Sequence, residues 1–128
     1  MTTTREPKIP GPDHPITVQP SDLHVVVRVG TQVVADTTKA LTLREASYPP
    51  VQYIPLEDVD QALLTASATH TYCPYKGEAS YFSIPIGGER STNAVWTYET
   101  PFPAMAAIKN YIASTQTVST RSDDGGGK

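Results

Sequence analysis

The sequence has few cysteines, few charged residues and no long apolar run, and each of these absences excludes a class of protein. Its 128 residues include one cysteine, Cys73, which excludes an intrachain disulfide framework and a zinc site of paired Cys-x-x-Cys type. Charged residues make up only 18%, and ten Lys and Arg against thirteen Asp and Glu leave no basic surplus for phosphate backbones. No apolar run approaches the ~18 residues that a membrane span needs, and the first residues lack the pattern of a leader. We therefore expect a cytoplasmic protein that binds neither nucleic acid nor a membrane.

The residues that are abundant favour strands and turns. Twelve Pro, eight Gly and seven Tyr are typical of short strands broken by turns. Leu23–Val29 alternates in character and is followed by Gly30-Thr31 and then by residues 32–36, which predicts a hairpin. Further strands are predicted at residues 40–45, 51–54, 69–73, 79–86 and 94–99, and two short helices at residues 57–64 and 101–113. The pattern indicates a mainly β protein, α+β by a strict count, with an antiparallel sheet.

The two ends of the chain differ in composition from its middle. Residues 1–12 carry three prolines and few hydrophobic residues, and residues 114–128 are rich in Ser, Thr and Gly. Segments of this kind cannot bury a core. We therefore predict a flexible arm at 1–12, a single β-rich domain at 13–113 and a flexible tail at 114–128. Exposed strand edges in so small a domain are compatible with a homodimer.

The stretch around Cys73 and Lys76 is the first candidate site. Both residues lie in a short loop with Pro74 and Gly77, just before an aromatic strand, and loops at sheet ends often present side chains to a pocket. An ammonium beside a thiol favours the nucleophilic thiolate, so Cys73 is a candidate nucleophile. The alternative is a small buried cysteine beside a solvated lysine.

Glu45 is the second candidate because it shares a strand face with Leu41 and Leu43. A carboxylate among core residues must be paired, hydrogen-bonded or protonated. An ion pair with Lys76 would satisfy both groups, whereas a general acid or base in a pocket would be the catalytic alternative.

Aromatic residues gather near these candidates. An aromatic-lined cleft would suit a planar or apolar small molecule, and an ordinary aromatic core is the alternative. The candidate substrate-binding residues are Tyr53, Tyr81, Trp96, Tyr98 and Gly77. The histidines are scattered: we interpret His14 and His24 as structural, and a pairing of His70 with Cys73 is disfavoured because residues three apart on a strand face opposite ways. We expect no metal site and no cofactor.

An ordered series of motifs resembles a known family. The series runs His14-Pro-Ile, Ala35-Asp36, Ala40-Leu-x-Leu43-x-Glu45, Tyr48-Pro-Pro-Val-x-Tyr53-Ile-Pro55, Asp58-Val, Thr71-x-Cys73-Pro-x-Lys76-Gly77-x-Ala79-x-Tyr81, Ala94-x-Trp96-x-Tyr98 and Pro103-Ala. It closely resembles the family catalogued as domain of unknown function 427. The resemblance implies two antiparallel sheets in a compact β-tent-like arrangement with two short helices. It also brings a nucleotidyltransferase label, which we disfavour because the sequence lacks a Gly-Ser followed by Asp-x-Asp to hold two magnesium ions.

Two functional hypotheses follow. In the first, the domain is a cofactor-independent enzyme of isomerase, cyclase, lyase or hydrolase type acting on a small organic molecule. Glu45 would then be the acid or base, Lys76 the electrostatic stabiliser, and Cys73 a further catalytic candidate. In the second, the same pocket binds a ligand without chemistry, as a binding or interaction module. Nucleotidyl transfer is a third and weaker hypothesis.

Overall fold

The computed structural model describes residues 8–115 and 117–121. Within these residues the chain forms ten strands and four short 3-10 helices. The strands are β1 Ile16–Pro20, β2 Leu23–Val29, β3 Gln32–Thr37, β4 Leu41–Glu45, β5 Val51–Pro55, β6 Thr65–Cys73, β7 Gly77–Ser83, β8 Val95–Thr97, β9 Tyr111–Ser114 and β10 Thr117–Arg121. The 3-10 helices are Leu56–Asp58, Gln61–Leu63, Pro85–Ser91 and Pro103–Ile108.

The strands are arranged in two sheets. The larger sheet has seven strands in the order β1-β4-β5-β9-β8-β7-β6, and the smaller has three in the order β10-β2-β3. Each pair of neighbours is antiparallel. The predicted mainly β fold with two antiparallel sheets is therefore confirmed.

The first core lies between the two sheets. Val25 and Val27 are fully buried on one face of β2, as the alternation in its sequence predicts. They belong to one buried cluster with residues of the larger sheet, including Ile54 of β5 and Ile112 of β9. Burial of these aliphatic side chains holds the smaller sheet against one face of the larger one.

The second core covers the opposite face of the larger sheet. Successive residues of a strand point to opposite faces, so Tyr53 joins this core while its neighbour Ile54 joins the first. Met105 and Ile108 of the helix Pro103–Ile108 are buried and pack in this cluster. Five of the candidate site residues belong to this second core or pack against it: Tyr53, Cys73, Tyr81, Trp96 and Tyr98.

The predicted helices are shorter than expected and of a different type. Residues 57–64 form two single 3-10 turns, and the prediction for 101–113 holds only for Pro103–Ile108, because Tyr111–Ser114 form β9. Asn110 has a left-handed backbone, with φ of 69°, which ends the helical path before the strand. Ile112 then pairs with Ile54 and Thr97 inside the sheet.

The strands predicted at residues 79–86 and 94–99 form an antiparallel pair, but the segment that joins them is not a tight turn. β7 and β8 are antiparallel neighbours, while Gly87 and Gly88 lie in the helix Pro85–Ser91 between them. A Cβ atom on Gly87 would lie 2.1 Å from Ser91 Oγ, so any larger residue at this position would force the Ser91 side chain to move.

The two ends of the domain extend beyond the predicted boundaries. The boundary predicted after residue 113 falls inside β9, and β10, in the segment predicted as a flexible tail, pairs with β2 of the smaller sheet. At the other end, Lys8 N donates to Pro74 O at 2.8 Å. Residues 1–7, 116 and 122–128 of the predicted arm and tail lie outside the described residues. Across the described part of the chain, no helix has the length and apolar character to cross a membrane.

Candidate functional site

The carboxylate of Glu45 is the centre of the candidate site. Glu45 is the last residue of β4 and lies opposite Ile16 of β1, so the residues just before β1 are beside it. Its Oε1 accepts a hydrogen bond from Lys76 Nζ at 2.5 Å, and its Oε2 lies 2.7 Å from His14 Nε2. Each carboxylate oxygen therefore has a nitrogen partner from a distant part of the chain.

A tight turn between β6 and β7 brings Lys76 to this carboxylate. Lys76 N donates to Cys73 O at 3.2 Å, which closes the turn. Gly77 follows with a φ of 115°, a conformation that favours glycine, and a Cβ atom there would lie 3.3 Å from Thr100 O. The Lys76 side chain is only 9% exposed, and its Nζ also lies 3.8 Å from Cys73 Sγ. The two residues that the sequence placed in one reactive loop are thus in contact.

His14 is fixed from two further directions. Its backbone N donates to Gly11 O at 2.9 Å. Its ring stacks on Tyr75, with ring centroids 4.2 Å apart and planes 6° from parallel. Since Tyr75 and Lys76 are consecutive, His14, Glu45, Lys76 and Tyr75 form a closed ring of contacts, which we call the Glu45 cluster.

The surroundings keep Glu45 ionised. Burial alone would raise the pKa of the Glu45 carboxyl, but the hydrogen bonds from Lys76 and His14, together with the positive charge of Lys76, hold its pKa below the ordinary value. The ion pair with Lys76 is therefore present, one of the two alternatives considered for Glu45. An ionised carboxylate only accepts hydrogen bonds, so His14 Nε2 must carry a hydrogen. In a neutral imidazole this leaves the lone pair on Nδ1, for which no described residue supplies a partner.

The predicted aromatic residues all pack in the second core but differ in exposure. Tyr53 is 2% exposed and Tyr98 is 8% exposed, whereas Tyr81 and Trp96 are half-buried. Trp96 Nε1 donates to the Tyr53 hydroxyl at 3.4 Å, and burial raises the pKa of Tyr53 to about 12. Burial also raises the pKa of Tyr98. Tyr53 and Tyr98 are thus core residues behind the Glu45 cluster, and Tyr81 and Trp96 are the aromatic residues with accessible surface.

Comparison with known proteins agrees with the motif pattern. The chain matches the family model NTP_transf_9, described as Domain of unknown function (DUF427), over residues 17–124. The chain belongs to the DUF427 family. No curated protein matches it. The matched segment of this DUF427 domain includes Glu45, Cys73, Tyr75 and Lys76, while His14 lies three residues before it.

Sequence reasoning missed His14 and Tyr75 as members of the site. From the sequence alone, His14 in its Asp-His-Pro segment is interpreted as structural. Only the register of β1 with β4 brings it to Glu45, which is 31 positions away. One signal was available: the first motif of the DUF427 resemblance begins at His14.

Other polar groups of the domain lie away from the Glu45 cluster. His24 Nε2 is 2.6 Å from Asp36 Oδ1 on the smaller sheet, and both side chains are well exposed. His70 lines a separate cleft with Glu78 and Glu99. Over the described residues, no group of three or more His, Cys, Asp or Glu is placed to hold a metal ion.

The Glu45 cluster is partly exposed to solvent. Four clefts lined by described residues lie elsewhere, and neither Glu45 nor Lys76 lines any of the four. The carboxylate is nevertheless not sealed in the core, because the Glu45 side chain is 15% exposed and that of His14 is 25% exposed.

Proposed function

We propose that this DUF427 domain binds a small organic molecule at the Glu45 cluster and transfers a proton on it, as an isomerase, cyclase, lyase or hydrolase does. The observation that carries the proposal is the bridging carboxylate, which joins a buried ammonium to an imidazole whose second nitrogen has no described partner. Carboxylate–imidazole pairs of this kind recur where an enzyme needs a general base near neutral pH.

The roles of the residues follow from their contacts. His14 Nδ1 accepts the substrate proton, and Glu45 holds the ring in the required tautomer and stabilises the imidazolium that forms. This assignment moves the acid–base role expected of Glu45 to His14, since the lowered pKa of Glu45 makes its carboxylate a weak base.

Lys76 and Cys73 add two further functions. The Lys76 ammonium has three donors, of which one bonds Glu45 and a second is directed at Cys73 Sγ, so the third can stabilise negative charge that develops on a substrate oxygen. The same ammonium donates to Cys73 Sγ at 3.8 Å, so Cys73 stays beside the cluster as the candidate nucleophile for a hydrolytic reaction. Tyr81 and Trp96 offer half-buried aromatic surface to an apolar part of the substrate.

The proposal is tested without knowing the natural substrate. A panel of 2-oxo acids, cyclic ketones and lactones is incubated with the protein in D2O, and exchange of acidic C–H protons is followed by 1H NMR. Hydrolysis of p-nitrophenyl acetate is followed in parallel. Catalysed turnover of a panel compound that is lost in His14→Gln supports the proposal. The matched control is His24→Gln, because His24 has the same kind of carboxylate partner on the other sheet. Equal turnover by His14→Gln and the wild type would refute it.

A non-catalytic ligand-binding module is the second candidate. It is favoured by the complete pairing of Glu45, because both carboxylate oxygens already have a nitrogen partner within the protein. In that case a panel compound binds at the cluster, as seen by NMR shifts of His14, but its protons do not exchange. Glu45→Gln would then leave its affinity near that of the wild type.

A further inference from the structure

Tyr75 is the member of the Glu45 cluster that makes no hydrogen bond to the carboxylate. It lies between Pro74, whose carbonyl accepts from Lys8 N, and Lys76, whose side chain is anchored on Glu45. The backbone on both sides of Tyr75 is therefore held, and its ring lies parallel to that of His14. Such a parallel stack restrains the partner ring over its whole face.

The stack supplies a restraint that the hydrogen bond cannot. The contact between His14 Nε2 and Glu45 Oε2 fixes one atom of the imidazole, but the ring can still tilt about that atom. Tyr75 fixes the plane of the ring, and with both restraints Nδ1 has a single direction. The imidazolium formed when Nδ1 accepts a proton also gains from lying over the negative face of an aromatic ring.

We infer that Tyr75 is a positioning residue for His14: it holds the imidazole in one plane, so that Nε2–H stays on Glu45 and Nδ1 faces the incoming substrate. The effect of Tyr75 on turnover rests on the proposed function, whereas the orientation of His14 by Tyr75 does not. In this inference the aromatic face of Tyr75 orients His14 and its hydroxyl has no part. A phenylalanine at position 75 should therefore keep His14 oriented, and an aliphatic side chain should not.

The structural content is tested by NMR without any substrate. In the wild type we expect a slowly exchanging Nε2–H signal from His14, and ring protons of His14 shifted upfield by the stacked Tyr75 ring. Tyr75→Phe should keep both signals, and Tyr75→Leu should lose both. Tyr48→Leu is the control, since Tyr48 is 63% exposed. Dispersed amide signals elsewhere in Tyr75→Leu verify that the variant is folded. Retention of both His14 signals in Tyr75→Leu would overturn the inference.

The catalytic consequence is tested on any panel compound that the wild type turns over. Loss of a stacked aromatic contact should lower turnover by about two- to tenfold in Tyr75→Leu, with little change in Tyr75→Phe. Lost NMR signals together with unchanged turnover would refute the positioning role while leaving the proposed function intact. If the wild type turns over no panel compound, the proposed function fails and the NMR comparison still decides whether Tyr75 orients His14.

Discussion

Glu45 and Lys76 are distant in sequence, and we expect their ion pair to make a large contribution to the free energy of unfolding. The two side chains are 15% and 9% exposed, and Lys76 Nζ lies 2.5 Å from Glu45 Oε1. A hydrogen bond to a charged group contributes about 1.5–3 kcal/mol when its partner would be left buried. Because water still reaches part of Glu45, the effect should stay below the ~3–5 kcal/mol of fully buried pairs.

A double-mutant cycle measures this coupling. Glu45→Gln and Lys76→Met each should lower the free energy of unfolding by about 2 kcal/mol, since each leaves the other group without its charged partner. The double variant should also lose about 2 kcal/mol rather than about 4, because it leaves no unpaired charge, which gives a coupling near 2 kcal/mol. Each single variant should then melt about 8 °C lower than the wild type.

The assay is urea unfolding followed by the fluorescence of Trp96, the one tryptophan of the chain. The Lys39–Glu57 pair is the matched control, because its side chains are 60% and 65% exposed, and its double-mutant cycle should show little coupling. If the losses at Glu45 and Lys76 simply add, the ion pair does not hold the site together and the energetic reasoning is wrong.

Three further predictions concern acid stability, the turn and the core. Because the pKa of Glu45 is lowered in the folded protein, its contribution to stability is present above the unfolded value of about 4.3 and is lost as the pH falls through the folded value; Glu45→Gln should flatten this part of the profile of urea midpoint against pH. Gly77→Ala should cost about 1–3 kcal/mol in urea unfolding, because φ of 115° strains any residue with a Cβ atom, and a loss below 0.5 kcal/mol would contradict that view. Ultraviolet titration should show the phenolate of Tyr53 forming only near pH 12, so Tyr53→Phe should remove absorbance at the alkaline end of the curve and leave the earlier part unchanged.

A strand could be predicted from the sequence where the alternation of apolar and polar residues within it is clear. The alternation in Leu23–Val29 identifies β2 and its buried face, because every second side chain is apolar. The helix predicted over residues 101–113 is wrong in its last part. Met105, Ile108 and Ile112 have helical spacing in the sequence, but Ile112 belongs to a strand. A short apolar segment can fit both the helical period of 3.6 residues and the strand period of two. Only in the folded sheet does the pairing of Ile112 with Ile54 show that this segment is a strand.

The candidate site could be predicted only in part for a similar reason. Cys73 and Lys76 are close in sequence, and Glu45 stands out as a carboxylate on an apolar strand face. His14 carries no such local signal, because its partner is chosen by the pairing of β1 with β4. Tyr75 lies in the same loop as Cys73 and Lys76, but its stacking on His14 follows from the direction that the turn gives its ring.

The pairing of β10 with β2 has a consequence for the order in which the protein folds. Thr117 lies opposite Val27, ninety positions earlier in the chain. During synthesis, the hairpin of β2 and β3 is complete long before its third strand leaves the ribosome, so one edge of β2 stays open while the seven-stranded sheet assembles. Contacts this distant in sequence slow folding, and open strand edges favour pairing between chains. A chain shortened before residue 117 would keep that edge open permanently, so we expect it to associate through β2 even though every residue of the Glu45 cluster is still present.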